Sequence, residues 1–225
     1  MSTHERPMDT RETKALLHEF RALSKRARDV HDDLLDDVAL SHGTNLRCWR
    51  IKLSKFGTSV DGQMIERDLR ELQRRHGVGH RHITLEVMFR DTFPTHAPFC
   101  RVVSPRMRWY SGHVTGSSRA VFQMFFVLTD VAAGGSICLR SLVNGIHGGW
   151  DPNYTIEGII EMIKFNFIYA ERVFVSTATG PGGMAGPLRV DLDNEFSFNV
   201  TQEYSLWAAE SAFHRALENH RRNGW

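Results

Sequence analysis

Several features that would assign a chain quickly are scarce here. Of its 225 residues only Cys48, Cys100 and Cys138 are cysteine, too few and too scattered for a disulfide framework, which points to a reducing compartment. No long apolar run is present. Residues 121–128 come nearest, interrupted by Gln123, whereas a spanning helix needs about 20 apolar residues. No charged-then-apolar leader opens the sequence, because residues 1–12 are simply polar. Neither sign of charge dominates: 28 basic and 26 acidic side chains leave +2, a field too weak to suggest nucleic acid. No internal repeat is visible. A soluble, cytoplasmic or nuclear protein remains, with neither membrane nor nucleic acid as partner. At roughly 150 residues per domain the length suits one large domain or a domain with extensions. The 41% hydrophobic and 24% charged content is that of a folded chain rather than a disordered one.

The pattern begins with a helix. Asp9 and Glu12 have capping-box spacing, and Leu16, Phe20, Leu23, Ala27, Val30 and Leu34 recur at steps of three and four. The acidic residues Asp32, Asp33, Asp36 and Asp37 are expected to fray that helix, ending it near 41–44. From residue 46 the period becomes two, with Arg47, Trp49, Ile51 and Leu53 on one side of a half-buried strand. Met64, Leu69 and Leu72 then mark a short helix stopped by Gly77 and Gly79. Residues 82–89 alternate again with Ile83, Leu85, Val87 and Phe89 inward, a turn bounded by Pro94 and Pro98 follows, and 99–103 is the next strand. Short connections between successive strands favour an antiparallel meander. Ile156, Ile159, Ile160, Ile163 and Phe167 predict a further helix opening at Thr155, and residues 204–220 another, with Leu206, Ala209, Phe213, Ala216 and Leu217 on one face. The glycine- and proline-rich stretch 177–187 reads as a mobile loop. The class is α+β, helices against one antiparallel sheet of three or four strands.

One thiol stands apart. Cys48 and Cys100 lie within strands and read as small structural hydrophobes. Cys138 follows Gly134-Gly135-Ser136-Ile137, where backbone can approach a reactant closely. Spacing leaves a nucleophile and a structural thiol both open at Cys138.

Gly135-Ser136-Ile137-Cys138-Leu139 resembles the active-site signature of ubiquitin-conjugating enzymes. Phe93-Pro94 and Pro98 before the signature, and Trp150-Asp151-Pro152 after it, agree. The Q-type branch fits best, through Arg101-Val102-Val103-Ser104-Pro105, Tyr154-Thr155-Ile156-Glu157, Tyr204, Leu206, His220 and Asn223-Gly224-Trp225. The resemblance implies a four-stranded antiparallel meander flanked by helices. It places a flexible tail at 1–8 and the conjugating domain at 9–225, with an insert at about 117–133 and the mobile loop at about 177–190. Q-type relatives often carry a further amino-terminal domain, for which 225 residues leave no room.

The same resemblance implies the chemistry. Cys138 would accept ubiquitin, or a related protein, as a thioester from an activating enzyme and pass it to a lysine or a ligase. No cofactor is bound; ATP is used by the activating enzyme. Such exchange needs an accessible sulfur of moderate pKa. It also needs a donor for the developing oxyanion. The family's usual His-Pro-Asn motif is here His113-Val114-Thr115, a departure shared by the Q branch, so Thr115 or a backbone N–H of the loop carrying Ser136 would donate, and His113 is expected to be structural. Arg11, Lys14 and Arg21 on the first helix, with Phe93, Pro94 and Pro152 in two loops, are the expected contacts to activating enzyme and ligase. Thr95 replaces the loop phenylalanine of many members, and Glu171 is the nearest acidic residue to steer an incoming lysine. The apolar insert would pack as an extra element, bind a partner, or be an error in the coding sequence such as a retained intron. Two rivals stand beside the active enzyme: a catalytically silent binding module of the same fold, and a cysteine hydrolase pairing Cys138 with His113 or His147.

Overall fold

A computed structural model of the chain describes residues 10–108, 134–144, 149–168, 174–177, 180–184, 188–193 and 199–222. The expected tail at 1–8 and the insert at 117–133 lie outside them.

Helix α1 (Thr10–Arg26) buries Leu16 and Leu23 and packs Phe20 against the core. It ends well before the apolar stripe does, and Val30 is 80% exposed. The acidic residues explain the early stop, because their side chains bond the backbone in place of a helical turn. Asp29 accepts from the His31 N–H at 2.9 Å, and Asp32 accepts from the Leu34 N–H at 2.8 Å while its other oxygen takes Arg26 Nε at 2.5 Å. Leu34 therefore reaches the core from an irregular, non-helical segment. That segment runs into β1 (Asp37–Leu40), a strand the periodicity missed, since four residues beginning with an acid give no alternation to read.

β2 (Cys48–Leu53), β3 (Ile83–Met88) and β4 (Phe99–Ser104) form with β1 a four-stranded sheet in the order β1-β2-β3-β4, every neighbouring pair antiparallel. The α+β meander is as expected, and β1 supplies its fourth strand. The register opposes Ile51 to Leu85 and Leu85 to Val102, stacking one apolar row across three strands. Between β2 and β3 lies α2 (Val60–His76), where the Ser59 hydroxyl accepts the Gly62 N–H at 3.1 Å and Gly77, at φ 96°, ends the helix. Ile65, rather than the expected Met64, fills the buried position beside Leu69 and Leu72.

Helix α3 (Ile156–Ile168) opens as expected, with the Thr155 hydroxyl accepting the Gly158 N–H. Its isoleucines and Phe167 join the inner face of the sheet in one core. The stretch expected as a loop at 177–190 differs from that expectation. β5 (Phe174–Thr177) pairs with β6 (Gly180–Met184), and Leu188 and Val190 are core residues. Alternation of Leu188 and Val190 about Arg189 is the pattern of a half-buried strand. Helix α4 (Leu206–Arg222) closes the described chain on Ala209, Ala212 and Ala216, three small residues that allow close approach, while Leu206 stays at the surface. Among the described residues no helix is long and apolar enough to cross a membrane.

Candidate active site

Residues 134–139 run along the edge of β4 that β3 leaves open. The Val102 N–H donates to Gly135 O at 2.7 Å, the Ile137 N–H donates to Cys100 O at 3.0 Å, and Ser136 bridges Arg101 in antiparallel sense. Glycine is required at this seat. Gly135 has φ 81°, and a Cβ there would lie 2.5 Å from Val102 O and 2.7 Å from the Tyr204 ring. A Cβ on Gly134 would lie 2.4 Å from Ala208 O, so the loop is pressed between β4 and the start of α4. Tyr204 is itself pinned: its N–H donates to Val103 O and its hydroxyl accepts the Met107 N–H at 2.9 Å.

This seating buries the loop. Ser136, Ile137, Cys138 and Leu139 are between 0% and 4% exposed, with Cys138 at 2%. The expectation of an accessible sulfur is thus not met in this conformation, because both neighbours of Cys138 are drawn into the core. A short 3-10 turn, Arg140–Leu142, follows. The other two cysteines are buried sheet residues, as expected. Desolvation pushes the Cys100 thiol up to about 12, and burial also raises Cys48, so both stay protonated near neutrality.

His113, Thr115, His147 and Glu171 lie outside the described residues, as does any geometry of an oxyanion donor drawn from them. Arg11, Lys14 and Arg21 are exposed on α1, and Pro94, Thr95 and Pro152 are exposed in their loops. The structure does unite Phe93 and Pro94 with the loop beginning at Trp150. Trp150 Nε1 donates to Pro94 O at 2.9 Å, and the Phe93 and Trp150 rings lie 6.3 Å apart. On the other side the Ala97 N–H donates to Asn144 Oδ1 at 2.8 Å, tying the proline-bounded loop to the segment that follows Cys138.

Two features here escaped sequence reasoning. One is an aromatic chain from α1 to the surface, Phe20–Trp49–Phe89–Phe93–Trp150–Tyr154, with successive centroids 4.9 to 6.3 Å apart. All but the tilted Phe93–Trp150 pair are edge-to-face, and such pairs each contribute about 0.5–1.5 kcal/mol beyond burial. The other is Arg47, almost buried between Glu12 of α1 at 3.1 Å and Asp91 at 2.5 Å, which fastens the first helix to the same loop. Neither shows in local spacing, since the partners are far apart in the chain.

A second polar cluster lies on the opposite face of the sheet. Glu86, 3% exposed, takes Arg101 at 2.6 Å, with Arg50 Nε at 3.6 Å, and Arg101 also donates to Tyr204 O. His42, Cys48 and Glu86 offer ligand atoms within 4.8 Å of one another. The guanidinium groups already on Glu86, and the burial that keeps Cys48 protonated, oppose a cation there.

No family model matches the chain. It is 27% identical over 212 residues, 94% of its own length, to the ubiquitin-conjugating enzymes E2 Q1 of Mus musculus and Homo sapiens. It spans 37% of the length of those curated relatives. Among solved structures, human ubiquitin-conjugating enzyme E2 G1 shares 13% identity, covering 71% of this chain and 97% of its own, with a TM-score of 0.41. The H. polymorpha ubiquitin-conjugating enzyme Pex4p, solved in complex with the soluble domain of Pex22p, shares 15% identity over 71% of this chain and 79% of its own, with a TM-score of 0.44. Along nearly its whole length the chain is thus similar in sequence to the ubiquitin-conjugating E2 Q1 enzymes, and it has a four-stranded antiparallel meander flanked by helices.

Proposed function

We propose that this chain is a ubiquitin-conjugating transferase in which Cys138 carries the modifier as a thioester. The Cys138 sulfur attacks the modifier's carboxy-terminal carbonyl, held as a thioester on the activating enzyme. A new S–C bond forms, the old one breaks, and the activating enzyme keeps the leaving thiolate. A lysine amine, or a ligase cysteine, then attacks the same carbonyl and Cys138 leaves with the electron pair of the broken S–C bond. ATP is consumed by the activating enzyme and not by this chain.

The observation that carries the reading is the place of Cys138. It is the one cysteine outside the four-stranded sheet, in the Gly-Gly-Ser-Ile-Cys-Leu loop held along β4 by Cys100 and Val102. The Ile137 N–H is already committed to Cys100 O, so the oxyanion donor falls to Thr115 or to another backbone N–H of the loop. The paired surface of Phe93, Pro94 and Trp150, with Pro152 beside it, suits a ligase, and the basic face of α1 suits the activating enzyme. A reducing compartment, cytosol or nucleus, agrees with this chemistry.

A second reading has one observation in its favour. At 2% exposure Cys138 must open to react, so a chain that never opens there would be a silent module binding partners through the same fold. Incubation with activating enzyme, ATP and ubiquitin, followed by a non-reducing gel, separates the two. The expected result is an adduct that thiol reductant removes and Cys138→Ala abolishes. No adduct from folded protein sinks the transferase reading, and ATP-independent cleavage of a ubiquitin thioester would point to the hydrolase. Recovery of charging on deletion of residues 117–133 would mark that segment as the obstruction.

A further inference from the structure

A groove of about 640 Å³ lies between α2 and residues 188–193, on a surface that no part of the thioester chemistry uses. Five guanidinium groups line it, from Arg67, Arg70, Arg74, Arg75 and Arg189, against the two carboxylates of Asp68 and Glu71. That is an excess of three positive charges in one groove of a chain whose whole net charge is +2. Arg67, Arg70 and Arg74 follow one another at steps of three and four, so they form a single stripe along α2. Like charges at this spacing repel.

Both carboxylates are spent in holding arginines in place. Asp68, buried, grips Arg189 in a fork at 2.6 and 2.8 Å. Glu71 accepts from Arg74 at 2.7 and 2.8 Å and from Arg75 at 2.6 Å, bonds that lower its pKa to about 2 and keep it charged. Arg75 is fixed a second time by donating to Leu192 O at 2.9 Å. Among the described residues, Arg67 and Arg70 are exposed and have no carboxylate at ion-pair distance. The groove therefore combines guanidinium groups already oriented by their carboxylates with two that no described carboxylate pairs.

We propose that this groove binds a small ligand bearing two or more phosphate groups. Guanidinium forks match phosphate oxygens with paired, charge-assisted hydrogen bonds. The volume lies within the roughly 300–1,000 Å³ of small-ligand sites. A long polyanion fits less well. With the whole chain at +2 and the groove at +3, the residues outside it sum to a net charge of −1, so an extended backbone leaving the groove gains no net attraction.

Titration calorimetry of the full chain with sodium tripolyphosphate tests the site. Saturable one-to-one binding that weakens as salt rises is expected. The variant Arg67→Ala/Arg70→Ala should bind roughly 100-fold more weakly, about tenfold for each guanidinium removed. Its unliganded melting temperature should match the wild type, since no described carboxylate pairs with either side chain. Absence of saturable binding at millimolar tripolyphosphate, or equal binding by the variant, overturns the proposal. So does a glutamate-rich peptide of the same charge that binds as tightly as tripolyphosphate. Clustered phosphates also occur on lipid headgroups. Sedimentation with phosphoinositide vesicles, lost in the same variant, would assign the headgroup as the source, and tripolyphosphate binding without vesicle capture would assign a soluble one. Charging of Cys138 is independent of either result.

Discussion

The two faces of the sheet are built on the same strands and solve different problems. Facing α3, Trp49, Ile51, Leu53, Ile83, Leu85, Val87 and Val102 are all 0% exposed and entirely apolar. Facing the other way, each strand alternates to Cys48, Arg50 and Lys52, to Thr84, Glu86 and Met88, and to Phe99 and Arg101. There the cover is partial. Residues 203–204 and α4 come down over β3 and β4, with Phe213 edge-on to Phe99 at 5.4 Å, and bury Glu86 and Arg101. Nearer the edge Lys52 stays exposed and Arg50 meets Glu203 in a half-open pair. The inner face is held by packing that tolerates no gap. The outer face is held by a few polar groups that must each find a partner.

Breaking the buried pair should have the largest effect. Glu86→Ala alone, leaving Arg101 charged and buried, is expected to cost about 3–5 kcal/mol in urea unfolding, while Glu86→Leu with Arg101→Met should recover most of it. If the double variant is no better than the single one, the outer face depends on its charges more than a covered sheet should. One position away on the inner face, Leu85→Ala should cost about 2–5 kcal/mol through cavity formation, with no partner change able to rescue it.

Gly135→Ala probes the junction of the two faces with the cysteine loop. A methyl group 2.5 Å from Val102 O at φ 81° must displace the loop, at about 1–3 kcal/mol. Loss of Cys138 charging in a variant that is still folded at 25 °C would show that the seat on β4 positions the sulfur. Arg50→Ala, by contrast, removes a half-exposed pair and should cost about 1 kcal/mol or less. The smallest effect is expected at His82, beside the outer face. Burial lowers its pKa from the ordinary 6.5, with Lys52 and Arg81 adding to the shift and Asp36 and Asp37 opposing it. The unfolded chain then takes up a proton that the folded one resists, so stability falls as pH drops below 6.5. His82→Gln should flatten the decline in urea midpoint between pH 7.5 and pH 5.5.

The inner face and its helices were readable from residue order. Ile83, Leu85 and Val87 declare a strand, and Ile156, Ile159, Ile160 and Ile163 a helix, because each pattern depends on neighbours within a few positions. β1 was not readable, being too short for its period to register, and α1 was read too long because apolar spacing carries no sign of competing aspartate side chains. Cys138 emerged from a motif resemblance. Its depth did not, since that depends on Tyr204 and Ala208, some seventy positions later in the chain.

Alternation and helical spacing thus dictated which residues face the core, and the loop around Cys138 marked the thiol in which chemistry was to be sought. Whether Glu86 and Arg101 meet water or each other, whether the Cys138 sulfur is open, and whether five arginines share one groove were settled when distant segments packed together. Solvation and ion pairing depend on what lies within a few ångströms in space, and for these groups those neighbours come mostly from segments remote in the chain.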